Sequence, residues 1–198
     1  MKTKNVVILL LTIVILNSCD ILNQVKQMET FAKCEFRLNT VQNISLAGVY
    51  IQNIKKFSDV NLLDAAKITA ALAQGSLPLS LTLNVDVKNP NSTTAAMNKL
   101  EWILLIDNIE MVRGINNQRV SVSPNGGIST LPLQITTDLK KVLSGKSSEA
   151  MLNFGCNLAG VGNRPTRITL KAKPSIMIAN KSIAYPGYIT VNNEFGSK

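Results

Sequence analysis

The sequence predicts a mainly β domain, an antiparallel β-sandwich with one or two short packed helices. Three observations lead there. Apolar and polar residues alternate strictly over Leu77, Leu79, Leu81, Leu83, Val85 and Val87, the period of a strand with one buried face. Turn-forming stretches such as Asn89-Pro90-Asn91, Asp107-Asn108 and Pro124-Asn125-Gly126-Gly127 recur at short intervals. Only one segment, 58–75, carries a full helical signature. Strands joined by short turns, without repeated helices between them, pair antiparallel and close into a sandwich or a partly open barrel.

The first strand begins where Cys34, Phe36 and Leu38 alternate with Glu35, Arg37 and Asn39. Extended structure continues through Val41, Ile44, Leu46, Val49 and Ile51, with a bulge or turn near Asn43 and Gly48. In 58–75, Ser58 suits an N-cap, Asp59 suits the positive helix terminus, and Gly75 suits a C-terminal stop. Val60, Leu63, Ala66, Ala70 and Ala73 are expected on the face packed against a sheet, with Asn61, Asp64, Lys67 and Gln74 outward. A one-residue slip of the strand Leu77–Val87 would expose all six of its inward side chains, so the pattern fixes its core face. Proline has no ladder donor and asparagine tolerates turn conformations, so Asn89, Pro90 and Asn91 read as a structural turn.

Leu100, Trp102, Leu104 and Ile106 then alternate, with Ile103 and Leu105 apolar on the other face, which predicts a central or covered strand. Shorter strands are expected at 109–114, 120–122 and 131–135, and short helices near 138–143 and 147–152. A late strand runs through Ile168, Leu170 and Ala172 and continues past Pro174 to Ile178.

The start of the chain reads differently. Lys2 and Lys4 precede a run from Val6 to Leu16 that is apolar but for Thr12, followed by Asn17, Ser18 and Cys19. Flanking cations and an apolar stretch too short to span a bilayer comfortably predict an export signal. The segment resembles the lipobox of bacterial lipoproteins, which implies cleavage before Cys19 and lipidation of its sulfur. The expected organisation is a signal peptide over 1–18, a lipid-anchored tether over 19–31 and one sandwich domain over 32–198.

The 198-residue chain has 21 Lys and Arg, 12 Asp and Glu, and a net charge of +9. Its cations are scattered and do not alternate with aromatic residues, so no nucleic-acid partner is expected. There is no histidine, which removes the commonest general base and every Ser-His-Asp or Cys-His nucleophile. The carboxylates show no EF-hand spacing and no evident acid-base pair. No catalytic residue, metal site or cofactor is therefore expected. Cys34 and Cys156, in an exported chain, can form a disulfide or be two small buried apolar side chains.

The string LTLNVDVKNPN at Leu81 to Asn91, followed by LEWILLIDNIEMVRG at Leu100 to Gly114 and Leu131-Pro132-Leu133, resembles the late embryogenesis abundant type 2 family. This is the water-stress and hypersensitive-response domain. The resemblance implies an immunoglobulin- or fibronectin III-like sandwich without a catalytic apparatus, associated with dehydration and osmotic stress. The expectation is a membrane-anchored, non-enzymatic lipoprotein of the cell envelope with a stress-protective or structural role. It would face the periplasm or the exterior, with the outer membrane favoured over the inner. The alternative is an envelope module that binds a lipid, a glycan or a partner protein.

Overall fold

The computed structural model describes residues 21–52, 54, 60–146, 148–159, 166–178 and 181–195. A helix α1 (21–32) leads into β1 (Glu35–Leu46) and β2 (Val49–Tyr50), then α2 (Leu62–Ala73) and β3 (Pro78–Asn89). There follow β4 (Ala95–Met97), β5 (Lys99–Ile106), β6 (Ile109–Asn116), β7 (Val120–Val122) and β8 (Gly127–Asp138). Helices α3 (Leu139–Val142) and α4 (Ser148–Leu158) precede β9 (Thr166–Ile178), β10 (Lys181–Ala184) and β11 (Ile189–Phe195).

Two antiparallel sheets form the sandwich. One has the order β2-β1-β3-β8. In the other β9 is central, with β5 and then β6 on one side and β10 and β11 on the other. The fold class agrees with the sequence reading. In β3, Leu79, Leu81, Leu83, Val85 and Val87 all point into the core, where they meet Leu100, Leu104, Ile106, Ile168 and Leu170 of the facing sheet. Each such leucine or isoleucine contributes roughly 1.5–3 kcal/mol by leaving water.

Side chains clasp the two open flanks of the sandwich. Asn193 Nδ2 of β11 donates to the Leu38 carbonyl of β1 at 2.8 Å, and Thr137 Oγ1 of β8 donates to the Met111 carbonyl of β6 at 2.9 Å. Pro132 is tolerated because β8 is an edge strand. Pro174 lies mid-strand in β9, and its carbonyl accepts from Tyr185 in the interval between β10 and β11. Carbonyl and N–H of one strand residue point the same way, so the missing donor falls where the neighbouring strand is interrupted.

Turn chemistry matches the sequence at the hairpins. Asp107 (φ 49°) and Asn108 (φ 65°) are both left-handed, as a two-residue hairpin joining right-twisted strands requires. Asn43 (φ 54°) accompanies the register shift of β1 between Gln42 and Ser45.

The helices differ from expectation in two respects. Ser58 lies outside the described residues; the N-cap of α2 is Asn61, whose side chain accepts from the Asp64 N–H at 2.9 Å. The face expected to pack is the wrong one. Leu63, Ala66, Ala70 and Ala73 are exposed, whereas Ile68 (3% exposed) and the half-buried Ala65, Ala71 and Leu72 turn inward. Both sides of this helix are apolar, and the longer side chains Ile68 and Leu72, spaced i and i+4, fill the available space better than alanines do. Helix α1 also does more than tether. Its last turn buries Met28, Thr30 and Phe31, and the Phe31 ring meets Phe36 edge-on at 5.5 Å. The core therefore starts inside the segment read as a tether.

Candidate functional site

The residues singled out by the sequence lie mostly at one end of the sandwich, where α1, the β3–β4 turn and the β7–β8 turn meet. Asn89, the last residue of β3, is fully buried. Its Nδ2 donates to the carbonyls of Thr93 (2.9 Å) and Val122 (3.2 Å), and its Oδ1 accepts from the Asn91 N–H (3.1 Å) and Asn91 Nδ2 (2.9 Å). Its own carbonyl accepts from Gly126, and that of Asn91 accepts from Asn125. Pro90 between them is exposed. Every polar atom of the Asn89 side chain is thus committed to backbone and to its neighbour, which leaves none to offer a ligand.

Cys34 follows α1. Its thiol is free and buried, its Sγ donates to the Thr30 carbonyl at 3.5 Å, and burial, aided by the Glu35 charge, pushes its pKa up to about 11. Cys156 lies in α4, but its side chain is outside those described, and Cys19 is outside the described residues altogether.

The outer face of the β2-β1-β3-β8 sheet carries a ladder of paired polar groups. Ser45 and Ser80 hydroxyls meet at 2.7 Å, Asn84 Nδ2 donates to Thr40 Oγ1 at 3.0 Å, and Thr82 Oγ1 donates to Gln134 Oε1 at 3.1 Å. At one end the buried Asp86 carboxylate accepts from Arg37 Nη2 and Asn39 Nδ2, both at 2.9 Å, and from Thr130 Oγ1 at 2.8 Å. The Arg37 guanidinium, with help from Thr130, holds the Asp86 carboxyl below its ordinary range.

Most of the other described carboxylates are similarly engaged. Glu35 pairs with Lys88, Asp64 with Lys67, Glu101 with Lys99, Glu110 with Arg113 and Glu194 with Arg167. Asp138 caps α3. Burial would raise its pKa, but donors from Leu77 N, Ser76 Oγ and Lys140 N outweigh that and hold it low. Among the described residues no three Cys, Asp or Glu side chains gather closely enough to hold a metal ion. None of their helices is long and apolar enough to cross a membrane.

One surface escaped the sequence reading. On the outer face of the second sheet, Glu101, Ile103, Arg113, Ile115 and Tyr188 line an open cup of about 340 Å³, floored by Trp102 and Gly114. Lys173 Nζ sits 5.7 Å from the centre of the Tyr188 ring, within cation–π range. Lys171 and Lys173 alternate along β9 with the buried Leu170 and Ala172. Tyr188 gave no sequence signal, because it lies between two strands that no periodicity announced. Trp102 itself packs over Gly114, its cross-strand partner.

No family model matches the chain, and no curated protein matches it. Among solved structures, one from Archaeoglobus fulgidus is similar at 16% identity, covering 82% of this chain and 98% of that one, with a TM-score of 0.36. A solution structure from Arabidopsis thaliana shows 13% identity, 83% coverage of both chains and a TM-score of 0.34. A third, described as a late embryogenesis abundant protein, shows 12% identity, covers 94% of this chain and 89% of its own, with a TM-score of 0.37. Likenesses this loose fix neither family nor function.

Proposed function

We propose that this chain is a membrane-anchored, non-enzymatic sandwich domain of the cell envelope, with a protective or structural role under drying or osmotic stress. The observation that carries the reading is the N-terminal sequence, in which Lys2 and Lys4, the apolar run Val6 to Leu16 and the Leu16-Asn17-Ser18-Cys19 tetrapeptide stand in the order a lipoprotein signal requires. Helix α1 supports it. Its described part runs from residue 21, two residues after Cys19, and ends buried in the core, so a lipid on Cys19 would hold the domain at its α1 end. The non-enzymatic part is supported by most of the described carboxylates being taken up in ion pairs and caps, and by the absence of histidine.

Intact-mass measurement of the native protein with membrane fractionation tests the anchor. A mature chain starting at Cys19, heavier than its sequence by acyl groups and found in the membrane, is the expected result. An unmodified chain starting at Met1 in the cytosol would overturn it. Deletion of the gene followed by drying or osmotic challenge tests the role, which fails if survival and envelope integrity match the parent.

The second reading is an envelope binding module. The cup around Tyr188, with its ring, flanking cation and carboxylate, favours it. Retention of a glycan or partner that Tyr188→Ala abolishes, at unchanged thermal stability, would establish it.

A further inference from the structure

Helix α2 turns an apolar stripe toward solvent. At about 100° per residue, Leu62, Ala73, Ala66, Ala70 and Leu63 fall within an arc of about 100°, and all five are exposed, Leu62 at 86% and Leu63 at 76%. Lys67 and Thr69 stand at its two borders, and the opposite side is the one that packs through Ile68 and Leu72. A surface helix ordinarily puts charged residues where α2 puts these, and Asp64 and Lys67 are its sole charged residues. An adjacent pair of leucines so fully in water marks an interaction surface. Strand β2, against which α2 packs, adds Tyr50, 72% exposed.

Charge decides what covers the stripe. The described cations at this end include Lys67 of α2, Lys140 and Lys141 of α3, and Lys146 just after it. Lys140 Nζ donates to the Leu72 carbonyl at 3.0 Å, which sets it at the C-terminus of α2, and Lys141 and Lys146 are exposed. Of the described acids nearby, Asp64 is paired with Lys67, Asp138 is committed to capping α3, Glu110 of β6, the strand that α3 contacts, is paired with Arg113, and Asp107 accepts from the Arg167 N–H. Two copies meeting through this end would oppose like charges. An anionic bilayer would meet cations with phosphates and take the leucines among its acyl chains.

We propose that α2 is a membrane-contacting element, lying in the headgroup layer of an anionic lipid surface with Leu62 and Leu63 inserted. The contact is separate from the N-terminal anchor. Helix α1 enters beside Glu35, which pairs with Lys88, whereas α2 leads into Pro78, at the opposite end of β3. The twelve residues of β3 hold the two ends roughly 37 Å apart. A domain moored at one end thus presents a second lipid-seeking end.

The test uses the chain from residue 20 onward, which lacks Cys19 and keeps the whole described core. Co-sedimentation is measured with vesicles of phosphatidylglycerol and phosphatidylcholine in equal parts, and with phosphatidylcholine alone. Binding to the mixed vesicles is expected, weakened about tenfold on neutral vesicles or in high salt. The double variant Leu62→Asp, Leu63→Asp should lose about tenfold or more in binding while circular dichroism and melting temperature stay unchanged, because both side chains are exposed. Lys141→Gln with Lys146→Gln should weaken binding to mixed vesicles alone. Ile128→Asp, at a side chain 65% exposed at the far end, should bind as the parent does. The proposal is overturned by failure to bind, by equal binding to both vesicle types, by leucine variants that bind normally, or by a lipid-free dimer that the leucine variants dissociate. None of these results bears on whether Cys19 is acylated, which the mass measurement reads independently.

Discussion

Removing the Asn89 side chain should be among the most damaging single changes at the α1 end of the sandwich. Asn89→Ala deletes the donors to the Thr93 and Val122 carbonyls and the acceptor for Asn91. The Val122 carbonyl is buried where water does not replace the lost donor. Leaving such a group unpaired costs about 1–3 kcal/mol, and the partly buried Thr93 carbonyl and Asn91 N–H add a smaller amount. The expected loss is about 3 kcal/mol, a large share of the roughly 5–15 kcal/mol that holds a domain together. For a chain of this size that corresponds to about 6–12 °C in melting temperature. Urea unfolding followed by circular dichroism reads it directly. Asn89→Asp should be at least as damaging at neutral pH, since a carboxylate would face two carbonyl oxygens, and should recover partly in acid, where a protonated carboxyl can donate one bond. Pro90→Ala, at an exposed position between the two asparagines, should cost only about 0.4–1 kcal/mol through the unfolded chain. If Asn89→Ala unfolded within about 0.5 kcal/mol of the parent, the size of a surface substitution, the claim that this turn is held by its buried asparagine would be wrong.

Three further outcomes follow from the geometry. Gly114→Ala drives a methyl into the Trp102 ring and should destabilise by about 1–3 kcal/mol or more; combining it with Trp102→Leu should cost less than the two changes summed, and strict additivity in urea unfolding would contradict the clash. The Asp86 carboxyl is held below its unfolded value of about 3.9, so its contribution is fully present above about pH 4 and is lost as pH falls through the folded value. Arg37 is largely exposed, which discounts the ion pair, and Asp86→Asn should cost about 1–2 kcal/mol at neutral pH; a parent-to-variant gap in melting temperature that does not shrink in acid would refute the assignment. The Cys34 thiol, raised from 9.0 to about 11, should alkylate about a hundredfold more slowly at mildly alkaline pH than in the unfolded chain, read by peptide-resolved iodoacetamide labelling; equal rates would show that Cys34 is not buried in solution.

Much of the fold was legible because the physics was local. The alternation in β3 is set by one residue's neighbours two places away, and the structure buries Leu77 through Val87 as that alternation requires. The Asp107-Asn108 and Asn125-Gly126 turns followed from residues that tolerate left-handed backbone. Strands β10 and β11 were not legible, since their residues are mostly exposed or half-buried and alternate weakly; pairing with β9 defines them. Helix α2 was recognised and turned the wrong way, because an element with two apolar sides contains no local information about which will meet the core.

The surfaces divide along the same line. The order of Lys2 and Lys4, an apolar run and Cys19, the absence of histidine, the scattered cations and the placement of Asn89-Pro90-Asn91 after a long alternating stretch are properties of the linear chain, and no folding is needed to state them. That the Asn89 amide spans to Val122, that Tyr188 joins Arg113 across three strands, and that Leu62 and Leu63 remain in water at the far end from α1 depend on long-range pairing. Those contacts join residues tens of positions apart, and only the stacking of two sheets, which minimises apolar surface for the whole chain at once, selects them.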